Sequence, residues 1–166
     1  MSIGNFTELI ERHGAQVLNT AVRILGDTQK AQDVHQEVFL EIWRRWSKYN
    51  GRTKWKPYLY RVTVRKAMES AKRDSRYLSL AQQNNQPLSK DTPCATLQNA
   101  EFHQKLVESL AKLPKRQAEV FVLAGIEGLE HETIAESLGC SRTTVRVHLY
   151  RAVRRLAREM ADYLAR

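Results

Sequence analysis

The sequence predicts an all-α fold, built as two small helical domains joined by a flexible linker. Three observations carry this reading. Apolar residues recur at helical spacing through both halves of the 166 residues, and no segment alternates with period two between turn signals. Seven Gly and four Pro are too few for a loop-rich all-β chain. Residues 78–98, opening LSLAQQNNQPLSKDTPCATL, are rich in Gln, Asn, Ser and Thr, and Pro87 and Pro93 bar one continuous helix there. A structureless loop of about twenty residues is unusual inside one compact domain. Domains are therefore expected at 1–77 and 99–166, able to sit well apart.

Each element has a local reason. Phe6, Leu9, Ile10, Val17, Leu18, Ala21, Val22 and Leu25 line a first helix, which Gly26 stops. Asp27 or Thr28 can cap the second, whose inner side carries Ala31, Val34, Val38, Ile42 and Arg45 or Trp46. Its other side shows Asp33, Gln36, Glu37, Leu40 and Glu41. After the turn at Asn50-Gly51, a third helix is expected over 56–76, with Pro57 in its first turn and Leu59, Val62, Ala67 and Met68 inside. Four helical segments follow, over 99–111, 114–125, 130–138 and 141–163.

Composition narrows the function. Lys plus Arg number 27 against 18 acids, a formal charge of +9. The charge is concentrated: residues 44–76 hold twelve Lys/Arg and two acids, and 142–158 hold six Arg and none. Two basic blocks around a neutral spacer suggest two contacts with one polyanion, and nucleic acid fits better than a membrane surface. The longest apolar run, 120–126, is far short of the ~20 residues of a membrane span. The start, MSIGNFTELIERHG, has no basic leader before an apolar stretch, so a cytoplasmic protein without membrane insertion is expected. Two cysteines, Cys94 and Cys140, make neither a disulfide framework nor a zinc motif, and no metal or cofactor is expected. Five scattered His residues with no nucleophile pairing, and no Gly-rich phosphate loop, argue against an enzyme.

The strongest motif is HETIAESLGCSRTTVRVHLYRAVRRL, residues 131–156. Ile134, Ala135 and Leu138 give a short helix an apolar side, Gly139 suits a sharp turn, and Ser141 suits an N-cap. Val145, Leu149, Ala152 and Leu156 then line the inside of the next helix. Small residue, Gly four later and Val six after that is helix-turn-helix spacing. The outer face offers Arg142, Thr143, Thr144, Arg146, Val147, Tyr150 and Arg151 to a major groove.

LPKRQAEVFVLAGIEGLEHETIAESLGCSRTTVRVHLYRAVRRL, together with DTQKAQDVHQEVFLEIWRRW and KWKPYLYRVTVRKAMESAKR, resembles the bacterial extracytoplasmic-function sigma factors of RNA polymerase. The resemblance runs from Phe6 to about Leu156 and leaves the linker unmatched. It implies a subunit that binds core RNA polymerase and directs transcription initiation at promoters by recognising −10 and −35 elements. The 1–77 domain would bind core polymerase and the −10 element, and the 99–166 domain the −35 element through the helix-turn-helix residues above. Asp33, Gln36, Glu37, Leu40 and Glu41 would face the clamp helices of the largest polymerase subunit, with a further contact to the flap of the second-largest. Lys54, Lys56, Tyr60, Arg61, Arg65 and Lys66, interleaved with Trp55 and Tyr58, would hold the −10 strand. Tyr58 is expected to be mainly structural, and Tyr60 to divide between core and DNA. Arg65 stands where the family commonly has Asn. Control by an anti-sigma factor is also implied. The competing class is a free-standing helix-turn-helix regulator, which needs a sensing site such as a phosphoacceptor Asp at a strand end, and no strand is predicted.

Overall fold

A computed structural model describes residues 3–83 and 94–165, and among them there is no β-strand. In chain order the helices are α1 (Ile3–Leu25), α2 (Thr28–Arg44), a 3-10 turn (Trp46–Lys48), α3 (Trp55–Gln83), α4 (Cys94–Ala111) and α5 (Lys115–Phe121). A π turn (Val122–Ile126), α6 (His131–Leu138), α7 (Arg142–Glu159) and α8 (Ala161–Leu164) complete it.

The local signals account for most ends. Gly26 follows α1 with φ +65°, the left-handed conformation that ends helices most readily with glycine. Asp27 caps α2, its side chain accepting a hydrogen bond from the Lys30 N–H at 3.0 Å. The third helix runs past 76 to Gln83, because 77–83 contain neither Gly nor Pro and tertiary packing already nucleates the helix. The fourth starts at Cys94, directly after Pro93, rather than near 99. Helix thus takes both flanks of the expected 78–98 linker, and its middle, 84–93, lies outside the described residues. The segment expected as one helix over 114–125 changes to a π turn, where the Glu127 N–H reaches back to the Val122 carbonyl at 2.9 Å. The last expected helix breaks at buried Met160, whose dihedrals (φ −101°, ψ 0°) leave the helical region.

α1, α2 and α3 pack on one another through Val17, Ala21, Ile24, Val34, Val38, Ile42, Leu59 and Val62, all at most 1% exposed. α5, α6 and α7 pack through Val120, Ile134, Leu138, Val145 and Ala152. Each fully buried Val, Leu or Ile contributes roughly 1.5–3 kcal/mol of transfer free energy. The halves expected to sit apart are in contact: α3 touches α4, α5, the π turn and α6, and the buried residues of both halves form one continuous cluster.

Candidate nucleic-acid interface

The turn between α6 and α7 is built as the motif requires. Gly139 has φ +65°, and the Cys140 N–H bonds the Ala135 carbonyl at 3.0 Å, closing α6. Ser141 caps α7 by accepting from the Thr144 N–H at 3.1 Å, and the Thr144 hydroxyl bonds that of Ser141 at 2.9 Å. Thr144 therefore serves the cap more than the groove. Val145, Ala152 and Leu156 are buried, which turns Arg142, Thr143, Arg146, Val147, Tyr150 and Arg151 outward along one exposed face. Arg142 pairs with Glu132 of α6 at 3.4 Å, both side chains well exposed. Arg154 lies over the Tyr150 ring at 5.7 Å and donates to its hydroxyl at 3.2 Å. That i, i+4 pair stiffens a guanidinium and a phenol next to Arg151.

The start of α3 meets an aromatic wall. Trp55 stacks on Trp46 at 5.6 Å, and the Tyr49 and Tyr58 hydroxyls hydrogen-bond at 2.6 Å. Burial, then the Tyr58 bond, pushes the Tyr49 phenol far above its ordinary value, so it stays neutral. Arg61 lies over the Tyr58 ring at 5.5 Å. The other five −10 candidates split into three groups. Lys54 and Lys56 are exposed at the helix start, beside Lys48 and Arg52 on the preceding turn, which the sequence reading passed over although both lie in the first basic block. Tyr60 is half-buried, and burial followed by the Glu127 charge raises its pKa. Arg65 and Lys66 turn to α2, where both hold Glu41, at 2.6 and 3.0 Å.

Glu41 therefore joins two candidate sets that the sequence placed separately. Burial alone would push its carboxyl up, but the Lys66 and Arg65 cations outweigh this and hold it below the ordinary carboxylate range. Glu37 is similarly engaged with Arg73 at 3.3 Å. On the same helix Asp33, Gln36 and Leu40 are exposed, and Trp43, one turn on, is 43% exposed beside Leu40 at 47%. Trp43, packed on Phe6 at 4.9 Å, extends this exposed face and is a residue the sequence reading did not single out. An exposed Trp next to an exposed Leu was the available signal.

These surfaces coincide with known sequence families. Residues 9–77 match the family model described as sigma-70 region 2, and 103–156 match that of sigma-70 region 4. The chain belongs to the extracytoplasmic-function sigma factors. It is 27% identical over 165 residues to the ECF RNA polymerase sigma factor SigE of Mycolicibacterium smegmatis, covering 98% of this chain and 62% of that protein. It is also 27% identical over 169 residues to the RNA polymerase sigma-H factor of Pseudomonas aeruginosa, covering 89% of this chain and 81% of that one. Among solved structures it resembles the sigma factor RpoE bound to the anti-sigma factor NepR from Bartonella quintana, with TM-score 0.56 and 17% identity over 96% of this chain and 98% of that one. No helix among the described residues is long and apolar enough to cross a membrane.

Proposed function

We propose that this chain is the promoter-specificity subunit of an RNA polymerase, acting through three surfaces. Asp33, Gln36 and Leu40, with Trp43, dock α2 on the clamp helices of the largest subunit. Glu37 and Glu41 lie behind them, bound to α3 cations. The −10 strand lies across the start of α3, where Lys48, Arg52, Lys54, Lys56 and Arg61 track phosphates and the aromatic wall offers faces to unpaired bases. Arg65 and Lys66 are reassigned from strand contact to holding α2. The outer face of α7 enters the major groove at −35, with Arg146 and Arg151 reading base edges and Arg154 and Arg158 meeting phosphates.

The observation that carries the reading is α7. A left-handed glycine, a serine cap and a buried inner face leave a bare cationic and aromatic face on a rigid helix. The 1–77 and 99–166 parts act as separate units on the two elements, and the polymerase flap takes the second. The resemblance to a sigma factor seen with its anti-sigma factor supports control of this chain by such a partner. No step of this role breaks or forms a covalent bond in the chain, so it is not an enzyme.

The test is in vitro transcription with core polymerase on a genomic promoter library. Transcripts should start downstream of one −10/−35 pair only when the chain is added. The free chain should bind duplex weakly and lose affinity steeply with salt. Tight, sequence-specific duplex binding without core at physiological salt would favour a free-standing regulator instead.

A further inference from the structure

The outer face of α7 carries a hydrogen bond that adds little to folding. Tyr150 is 62% exposed, and Arg154, one turn on, is exposed as well. Arg154 Nη1 donates to the Tyr150 hydroxyl at 3.2 Å, and its Cζ lies 5.7 Å from the ring centroid. The guanidinium thus sits toward the oxygen end of the ring. In water an exposed i, i+4 pair of this kind contributes little stability. Its effect is on what the phenol can offer a ligand. Arginine only donates, so the polarity of Arg146 and Arg151 is fixed by their chemistry. A phenol both donates and accepts, and left alone it would take a base-edge donor or acceptor alike.

We propose that Arg154 makes Tyr150 a donor-only reader of the major groove, so that the base opposite the phenol must present an acceptor. Polarity decides it. Arg154 has N–H donors and no acceptor, so it occupies the acceptor side of the phenol oxygen. The hydroxyl hydrogen then turns away from the guanidinium. A second donor approaching that oxygen meets a cation already in place and is repelled. Both effects strengthen when docking removes water from around the pair. In the major groove guanine shows O6 and N7 and thymine shows O4, all acceptors, whereas cytosine shows only its N4 amino donor and adenine one of each. The keto bases match the held phenol, and cytosine opposes it.

The placement suits the role. Tyr150 stands one turn after Arg146 and beside Arg151, on the face turned away from buried Val145 and Ala152. The phenol therefore enters the same groove as both arginines. Arg154 is a positioning residue here, and its remaining N–H groups stay free for a phosphate. That the base belongs to a −35 element rests on the sigma reading; the polarity of the phenol does not.

The experiment reads base preference and not affinity alone. Holoenzyme carrying the parent, Tyr150→Phe, Arg154→Ala or the double variant is titrated on promoter duplexes with each base in turn at every −35 position. In parallel, each free chain selects sites from a random duplex pool at low salt, which needs no polymerase. The position where Tyr150→Phe alters preference is the one facing the phenol. There the parent should favour guanine or thymine over cytosine by about two- to tenfold, the scale of one hydrogen bond. Tyr150→Phe should bring that ratio near one by weakening the keto sites. Arg154→Ala should also lower it, by raising cytosine relative to the keto bases, because the freed hydroxyl can accept. With Phe at 150, Arg154→Ala should leave the ratio unchanged. Melting temperatures should match the parent throughout, since both side chains are exposed. Unchanged preferences in Tyr150→Phe would overturn the assignment. So would an Arg154→Ala chain that weakens every site by one factor, or one that still shifts the ratio with Phe at 150. No promoter-specific transcription by the parent, with free-chain selection shifting as expected, would leave the assignment standing and overturn the sigma reading. Promoter-specific transcription with unshifted preferences would do the reverse.

Discussion

Leu40 gives the cleanest perturbation of the surface proposed to face polymerase, because it is exposed and belongs to no core. It sits on α2 between Gln36 and Trp43 and is 47% exposed. Fully burying a Leu is worth about 1.5–3 kcal/mol, so covering the exposed half is worth roughly 0.7–1.4 kcal/mol. Leu40→Ala should therefore weaken core binding about three- to tenfold, at 1.4 kcal/mol per factor of ten. Leu40→Lys adds a desolvated cation to the loss and should weaken binding well beyond tenfold. Neither change should move folding stability by more than about 0.5 kcal/mol, since exposed positions rarely do. The assay is competition of each variant against labelled parent for a fixed amount of core polymerase, with thermal melts in parallel. Leu40→Lys that binds within twofold of the parent at unchanged melting temperature would show that α2 docks through another face.

Other consequences follow from the geometry. Gly139→Ala adds a Cβ at φ +65° and should cost about 1–2 kcal/mol by thermal melt; nothing lies within 4 Å of that Cβ, so the loss would be conformational rather than steric. Ser141→Ala removes the α7 cap and should cost about 1 kcal/mol, with weaker −35 binding by holoenzyme. Arg151→Ala should cost about 1–3 kcal/mol on the preferred −35 sequence and relax preference at one or two pairs, whereas Arg158→Ala should weaken all variants evenly. The Glu41 carboxyl is held below its ordinary 4.5, so its contribution is complete above that pH and is lost as pH falls through the lowered value; Glu41→Gln should flatten that part of the acid-denaturation profile.

What was legible in the sequence was what is decided locally. The cap at Ser141, the left-handed Gly139 and the apolar face of α7 all follow from residues within a few positions of one another, and the structure has each of them. The stop at Gly26 and the cap at Asp27 are legible for the same reason. The family resemblance gives Arg65 and Lys66 to the −10 strand, but Glu41, 24 and 25 positions earlier, is their neighbour in space. Glu127 and Arg23 are separated by more than a hundred residues, and no periodicity can join them. Trp43 was lost for a subtler reason. Helical spacing puts Arg45 or Trp46 inside and assigns Trp43 to neither face, and the 3-10 turn at Trp46 decides it, burying Trp46 at 7% exposure and leaving Trp43 at 43%.

The ion pairs also change what the basic blocks mean. Of the cations in 44–76, Arg65 and Lys66 share the one carboxylate of Glu41, Arg73 pairs with Glu37 and Lys54 with Glu136. Of the cations left, Lys48, Arg52, Lys56 and Arg61 gather on the turn before α3 and its first two turns, while Arg44, Lys72 and Arg76 lie apart from them. A polyanion is drawn to where charge is uncompensated, so the strand is steered to the start of the helix and not along its length. The Lys54–Glu136 pair is exposed on both sides and screened by solvent, so Lys54 adds a fifth cation to that group, beside the aromatic wall. Strand binding and the contact with α6 therefore draw on the same residue, Lys54.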